Sequence, residues 1–134
     1  MTLTRIHHLG LTVTDADASA EWYQALLGFR RDGDYSSSDG SRYKVFLVHD
    51  GLGIRLSLCQ HAASAQVRFD ETRPGLDHLS FAVESLQELR EWRQRLVVAG
   101  VTCSELAEAN TIPGARVLVF RDPDNIQLEL IALS

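Results

Sequence analysis

The sequence predicts an α+β domain built from two tandem βαβββ modules, which would form a curved, cup-shaped mixed sheet with its helices outside. Three observations predict this. The chain repeats itself: at a shift of 70, His8, Leu9, Val13, Glu21, Trp22, Gln24 and Leu26 fall on His78, Leu79, Val83, Glu91, Trp92, Gln94 and Leu96, and at a shift of 72, Val45, Asp50, Ile54, Leu56 and Leu58 fall on Val117, Asp122, Ile126, Leu128 and Leu130. Each copy reads as an apolar strand, a capped helix stopped by glycine, and then strands around turns. The 134 residues, 45% hydrophobic and 23% charged, suffice for one compact core.

The first strand is expected over Ile6–Thr12, apolar with β-branched residues. Asp15 is a natural N-cap, with Thr14 and Asp17 in capping-box-like spacing, for a helix over Ala16–Leu27 that stops at Gly28. Arg30–Arg42, rich in Ser, Asp and Gly, reads as a mobile loop or an irregular edge strand. Tyr43–His49 and Ile54–Gln60 form a hairpin around Asp50-Gly51-Leu52-Gly53. Residues 61–75 lack a clean period and join module 1 (about 1–60) to module 2 (about 76–134), with Val67–Phe69 as a short edge strand. Module 2 opens at Leu76–Val83. Ser85 and Glu88 form a capping box for a helix running to Ala99, with Gly100 as its stop. Cys103–Gly114 reads as a loop with one edge strand, and Arg116–Arg121 with Ile126–Ala132 as the closing hairpin around Asp122-Pro123-Asp124-Asn125.

Composition excludes several function classes. A net charge of −5 and a pI near 5.4 offer no basic stripe for nucleic acid. No apolar run approaches the roughly 18 residues of a membrane span, and the opening MTLTRIHHLG has no signal pattern. Cys59 and Cys103 set no disulfide framework. A cytoplasmic protein is expected, with its partner a small molecule.

The repeat also singles out a candidate site. Strand alternation puts Gln127, Glu129 and Ile131 on one face and Leu128 and Leu130 on the other. The same rule gives the cup Arg55, Ser57 and Cys59 from the first module, and His8 and His78 from the opening strands. Two imidazoles and a carboxylate at repeat-related positions suit a divalent metal. A carboxylate in the apolar run Leu128–Ile131 needs a compensating partner. Tight hairpins would set Lys44 opposite Cys59 and Arg116 opposite Ile131, giving the cup two symmetric cations for an anionic group. His7, His49 and His61 have no repeat partner and read as surface residues, and Trp22 and Trp92 as core.

His8-Leu9-Gly10-Leu11-Thr12-Val13, Asp15, Glu21-Trp22-Tyr23 and Leu27-Gly28-Phe29 resemble the opening module of the vicinal oxygen chelate superfamily, which includes glyoxalase I, extradiol dioxygenases, and fosfomycin- and bleomycin-resistance proteins. Gly75–Val83 and Phe120–Leu130 resemble the start and closing hairpin of its second module. The resemblance implies a glyoxalase- or dioxygenase-like enzyme, of lyase/isomerase or ring-cleaving oxygenase type. His8, His78 and Glu129 would be metal ligands, with Glu129 also moving a proton. Ser57, Arg55, Lys44 and Arg116 would bind substrate. The metal would be Fe, Mn, Ni or Zn, and the assembly a homodimer. The fourth ligand position of glyoxalases and epimerases falls on Ser57, a departure from the four-ligand pattern that argues against glyoxalase I activity itself. The alternative is a metal-free binding protein that sequesters a toxic compound, as bleomycin-resistance relatives do.

Overall fold

A computed structural model describes residues 1–133. The chain divides into two compact units, Met1–Val67 and Arg68–Ser134, each with one helix and one four-stranded mixed sheet. The first unit holds β1 (Leu9–Thr12), α1 (Ala16–Leu27), β2 (Arg30–Ser36), β3 (Arg42–His49) and β4 (Ile54–His61). The second holds β5 (Leu79–Val83), α2 (Leu86–Val98), β6 (Ala107–Glu108), β7 (Arg116–Arg121) and β8 (Gln127–Ala132). The strand orders are β1-β4-β3-β2 and β5-β8-β7-β6, so the βαβββ unit occurs twice with the same topology. In each, the opening strand lies parallel to the last, which the intervening helix permits.

The helices begin where the caps require. Asp15 accepts the Ala18 N–H at 2.9 Å and Ser85 accepts the Glu88 N–H at 3.2 Å, while Glu88 returns to the Glu84 N–H. Gly28 ends α1 at φ 76°, a conformation costly for a residue with a Cβ. Helix α1 packs on β3 and β4, and α2 on β7 and β8. Under α1 the core is Leu11, Val13, Tyr23, Val45, Leu47, Leu56 and Leu58; under α2 it is Leu89, Leu96, Leu118, Phe120, Leu128 and Leu130. These are the alternate positions of each strand, so the other face of each sheet carries Lys44, Arg55 and Ser57 in the first unit and Arg121, Gln127 and Glu129 in the second, beside apolar residues such as Phe46 and Val119.

Several local expectations are corrected. β1 starts at Leu9 rather than Ile6. Of the two alternatives for the polar segment, Arg30–Ser36 is the irregular edge strand and not a loop, with a bulge between Arg31 and Asp34 where Gly33 takes φ 119°. Val67–Phe69 forms no strand. Instead, Phe69 donates its N–H to the Asp124 carbonyl and accepts from the Asn125 side chain, which ties this segment to the closing turn. Trp22 and Trp92 are half-buried rather than core, and Trp92 lies 5.0 Å beneath the Arg95 guanidinium.

The two hairpins differ by one residue. His49 pairs with Ile54 around Asp50–Gly53, and the expected opposition of Lys44 and Cys59 is observed. In the second hairpin Arg121 pairs with Gln127, which leaves Asp122–Ile126 as the loop. Asn125 takes φ 69°, and the Asp122 carboxylate accepts the N–H groups of Asp124 and Ile126 at 2.9 and 2.8 Å. That fifth loop residue shifts β7 by one place, so Arg116 opposes Ala132 and not Ile131.

Candidate functional site

The proposed ligands divide between the two units: His8 immediately precedes β1, His78 immediately precedes β5, and Glu129 lies on β8. In the second unit, the parallel register sets Ser80 beside Glu129, and the Ser80 hydroxyl donates to Glu129 Oε1 at 2.7 Å. This is the partner that a half-buried carboxylate needs. Its second oxygen remains available to a cation. The His78 Nδ1 lies 2.6 Å from Asp77 Oδ1. An ionised carboxylate only accepts, so in a neutral ring this contact is satisfied by a proton on Nδ1, which leaves the lone pair on Nε2.

The first unit has the same frame with different chemistry. Gly10 and Ser57 are neighbours in the parallel pair, at the positions Ser80 and Glu129 occupy in the second. The carboxylate is replaced, and the hydroxyl that would support it is absent too. Ser57 is buried at 4% exposure. His8 contacts its neighbour His7 through their Nδ1 atoms at 2.9 Å, ring edge to ring face. His8 presents a free Nε2 lone pair when it is the donor in that pair. Both histidines line a cavity of about 220 Å³ with Phe46, Arg55, Leu56 and Ser57. His7 is exposed, as the surface reading expects, and lines this cavity beside His8.

Arg55 does not stand alone. It pairs with Asp32 at 3.0 Å, and Arg30 approaches the same carboxylate at 3.7 Å. Lys44 lies between Tyr35 and Cys59 in register, on the face that carries Ser57 and Arg55. Arg116 is corrected: opposite Ala132 it shares the helix-side face with Leu118 and Phe120, and it pairs with Glu108 at 2.6 Å. The register that would have set it opposite Ile131, on the Glu129 face, is not formed. The cation on the Glu129 face is Arg121, which sequence reading missed because its assignment depends on the loop length.

Arg121 anchors a polar chain. It grips Glu71 with two hydrogen bonds, at 2.7 and 2.9 Å, and donates to Gln127 Oε1 at 2.9 Å. The Gln127 amide nitrogen in turn lies 3.4 Å from Asp77 Oδ1 and 3.5 Å from the Asp77 carbonyl. The guanidinium beside Glu71 holds that carboxyl at about 2, well below its ordinary value. Among the described residues, no group of three or more His, Cys, Asp or Glu side chains is gathered closely enough to hold a metal ion.

Comparison with known proteins agrees with this architecture. The family model described as Glyoxalase/Bleomycin resistance protein/Dioxygenase superfamily matches residues 5–130. A crystal structure of a glyoxylase/bleomycin resistance protein/dioxygenase domain from Frankia sp. EAN1pec is 37% identical with a TM-score of 0.85, covering 98% of both chains. The uncharacterized protein YwkD of Bacillus subtilis (strain 168) is 28% identical over 97% of this chain and 98% of its own. The fosfomycin resistance protein FosX from Listeria monocytogenes, solved with Mn(II) and a sulfate ion, has a TM-score of 0.69 at 20% identity, covering 98% of this chain and 93% of its own. At that identity the likeness is one of fold. No helix among the described residues is long and apolar enough to cross a membrane.

Proposed function

This chain belongs to the glyoxalase/bleomycin resistance protein/dioxygenase superfamily, and from that membership we propose that it is a metal-dependent enzyme acting on a small oxygenated substrate, of lyase/isomerase or ring-cleaving oxygenase type. His8, His78 and Glu129 would hold the ion, within one chain or across a homodimer. The observation that carries this reading is the support around Glu129 and His78. Ser80 occupies one Glu129 oxygen and Asp77 occupies the His78 Nδ1, so each side chain keeps one ligating atom available. The donor set of two neutral imidazoles and one carboxylate fits Fe²⁺, Mn²⁺, Ni²⁺ or Zn²⁺. The Mn(II) found with FosX makes manganese the first ion to test. When bound, such an ion supplies Lewis-acid polarisation of a substrate carbonyl or enolate oxygen.

The chain's own residues do the rest. Glu129 would accept and return the substrate proton at the oxygen that Ser80 supports, leaving its second oxygen to the ion. Arg55 and Lys44 bind an anionic substrate group, with Asp32 holding Arg55 in place. Ser57 donates or accepts one hydrogen bond at the wall that Phe46 and Leu56 make apolar.

The test is elemental analysis of protein purified without chelators or a metal-affinity tag, beside His8→Ala and Glu129→Ala variants. Near-stoichiometric metal in the parent and its loss in both variants is the expected result. No binding, even after reloading with each of the four ions, overturns the enzyme reading. The second reading, a metal-free protein that sequesters a small molecule, then leads. It is favoured by the cavity beside His8 and by Ser57 standing where the second unit has its carboxylate.

A further inference from the structure

We propose that Asp77 is a positioning residue that fixes the tautomer of His78, and that Gln127, Arg121 and Glu71 hold Asp77 in the orientation this requires. The inference rests on His78 being a ligand as proposed above, but its central claim concerns the protein alone.

The direction of every hydrogen bond in the chain follows from its ends. A guanidinium only donates, so Arg121 obliges Gln127 to turn its amide oxygen toward Nη2, at 2.9 Å. The Gln127 nitrogen must then face the other way, toward Asp77, where it meets Oδ1 at 3.4 Å and the backbone carbonyl at 3.5 Å. Asp77 only accepts, so the 2.6 Å contact with His78 places the proton on Nδ1. The chain runs from Glu71 through Arg121, Gln127 and Asp77 to His78, and because Arg121 can only donate and Asp77 only accept, the Gln127 amide and the His78 ring are oriented by them. Register supports the geometry: Arg121 and Gln127 are directly opposed across β7 and β8. Glu71 locks the far end with two bonds to one guanidinium.

Stability does not account for the Asp77–His78 contact. Asp77 and His78 are 70% and 42% exposed in their side chains, and a pair so solvated contributes little to folding. The consequence is directional. A histidine side chain free in water favours the Nε2–H form, which has no lone pair on Nε2 to offer a metal. The Asp77 contact selects the opposite form and leaves Nε2 ready. The Gln127 and His78 contacts converge on the same Asp77 oxygen, Oδ1, which an asparagine would retain.

The experiment is ¹⁵N–¹H correlation NMR of the histidine rings in the metal-free full chain, at a pH where the rings are neutral, with His78 assigned through His78→Ala. The parent is expected to show His78 as Nδ1–H. Asp77→Ala is expected to return it to mainly Nε2–H, while Asp77→Asn keeps Nδ1–H and serves as the folded control. Arg121→Met is expected to give a mixture. Titration with Mn²⁺ alone is then expected to show affinity about 10- to 100-fold weaker in Asp77→Ala than in the parent. A parent ring found mainly as Nε2–H overturns the proposal, as does an Asp77→Ala ring unchanged from the parent. If the tautomer switches as stated but His78→Ala leaves metal binding intact, the positioning claim stands and the ligand assignment fails.

Discussion

Replacing Asp122 by alanine should be among the most damaging single changes outside the hydrophobic core. Asp122 is 5% exposed, and its Oδ1 accepts two backbone N–H groups, from Asp124 at 2.9 Å and Ile126 at 2.8 Å. Both donors belong to buried residues, with Asp124 8% and Ile126 2% exposed. A buried donor deprived of its partner costs about 1–3 kcal/mol, more where the acceptor was charged. Exposed Pro123 lets water reach part of the turn, so the two losses together should come to about 2–4 kcal/mol. Against a total stability of about 5–15 kcal/mol, that is a large fraction. Asp122→Asn keeps one carbonyl oxygen in place and should cost about 1 kcal/mol. Urea unfolding followed by circular dichroism, with the slope compared between variants, measures both. A loss below about 0.5 kcal/mol for Asp122→Ala, or equal losses for the two variants, would refute the claim that this oxygen organises the turn.

Two further predictions concern the second unit. Glu71 is held at about 2 against an ordinary 4.5 by its bonds to Arg121, so the unfolded chain binds the proton first as pH falls. Its contribution is full above about pH 4.5 and is lost as pH drops toward 2. Glu71→Gln should flatten the acid limb of stability against pH in that window, and carboxyl-detected NMR should find Glu71 still ionised at pH 3. Leu128 is fully buried, opposite Phe120 and beside Leu79. Leu128→Ala should cost about 2–5 kcal/mol in the same urea assay, and a cost under 1 kcal/mol would mean that the sheet is not packed against α2 as described.

Much of the fold was legible because the sequence punctuates it. Asp15, Ser85 and Gly28 mark helix ends by local chemistry alone, and all three act as expected. The first hairpin was legible because its loop has an even number of residues, which keeps the alternation in phase from Lys44 to Cys59. β2 was ambiguous because an exposed edge strand has no apolar period, and its bulge breaks what alternation RRDGDYS has. The second hairpin misled because Asn125 adopts a left-handed conformation and adds a residue to the loop. A one-residue slip exchanges the faces of a whole strand, which is why Arg116 was expected opposite Ile131, on the face where Arg121 stands. Glu71 was beyond reading, since its partner lies 50 residues away and nothing periodic links them.

The duplicated frame makes the asymmetry of the site informative. Each unit has an opening strand parallel to its last strand and a pair of neighbouring positions facing away from the helix. In the second unit that pair is Ser80 and Glu129, joined by a 2.7 Å hydrogen bond; in the first it is Gly10 and Ser57. An uncompensated carboxylate at Ser57, 4% exposed beside a glycine that has no side chain, would be costly. Supplying a fourth ligand, a carboxylate at Ser57, therefore needs two substitutions, not one. Ser57→Glu alone should destabilise the first unit, whereas Gly10→Ser with Ser57→Glu should recover part of that loss. A Cβ at Gly10 meets no atom within 4 Å, so the second change has room, and a double variant no more stable than Ser57→Glu would show that the two frames are not chemically interchangeable.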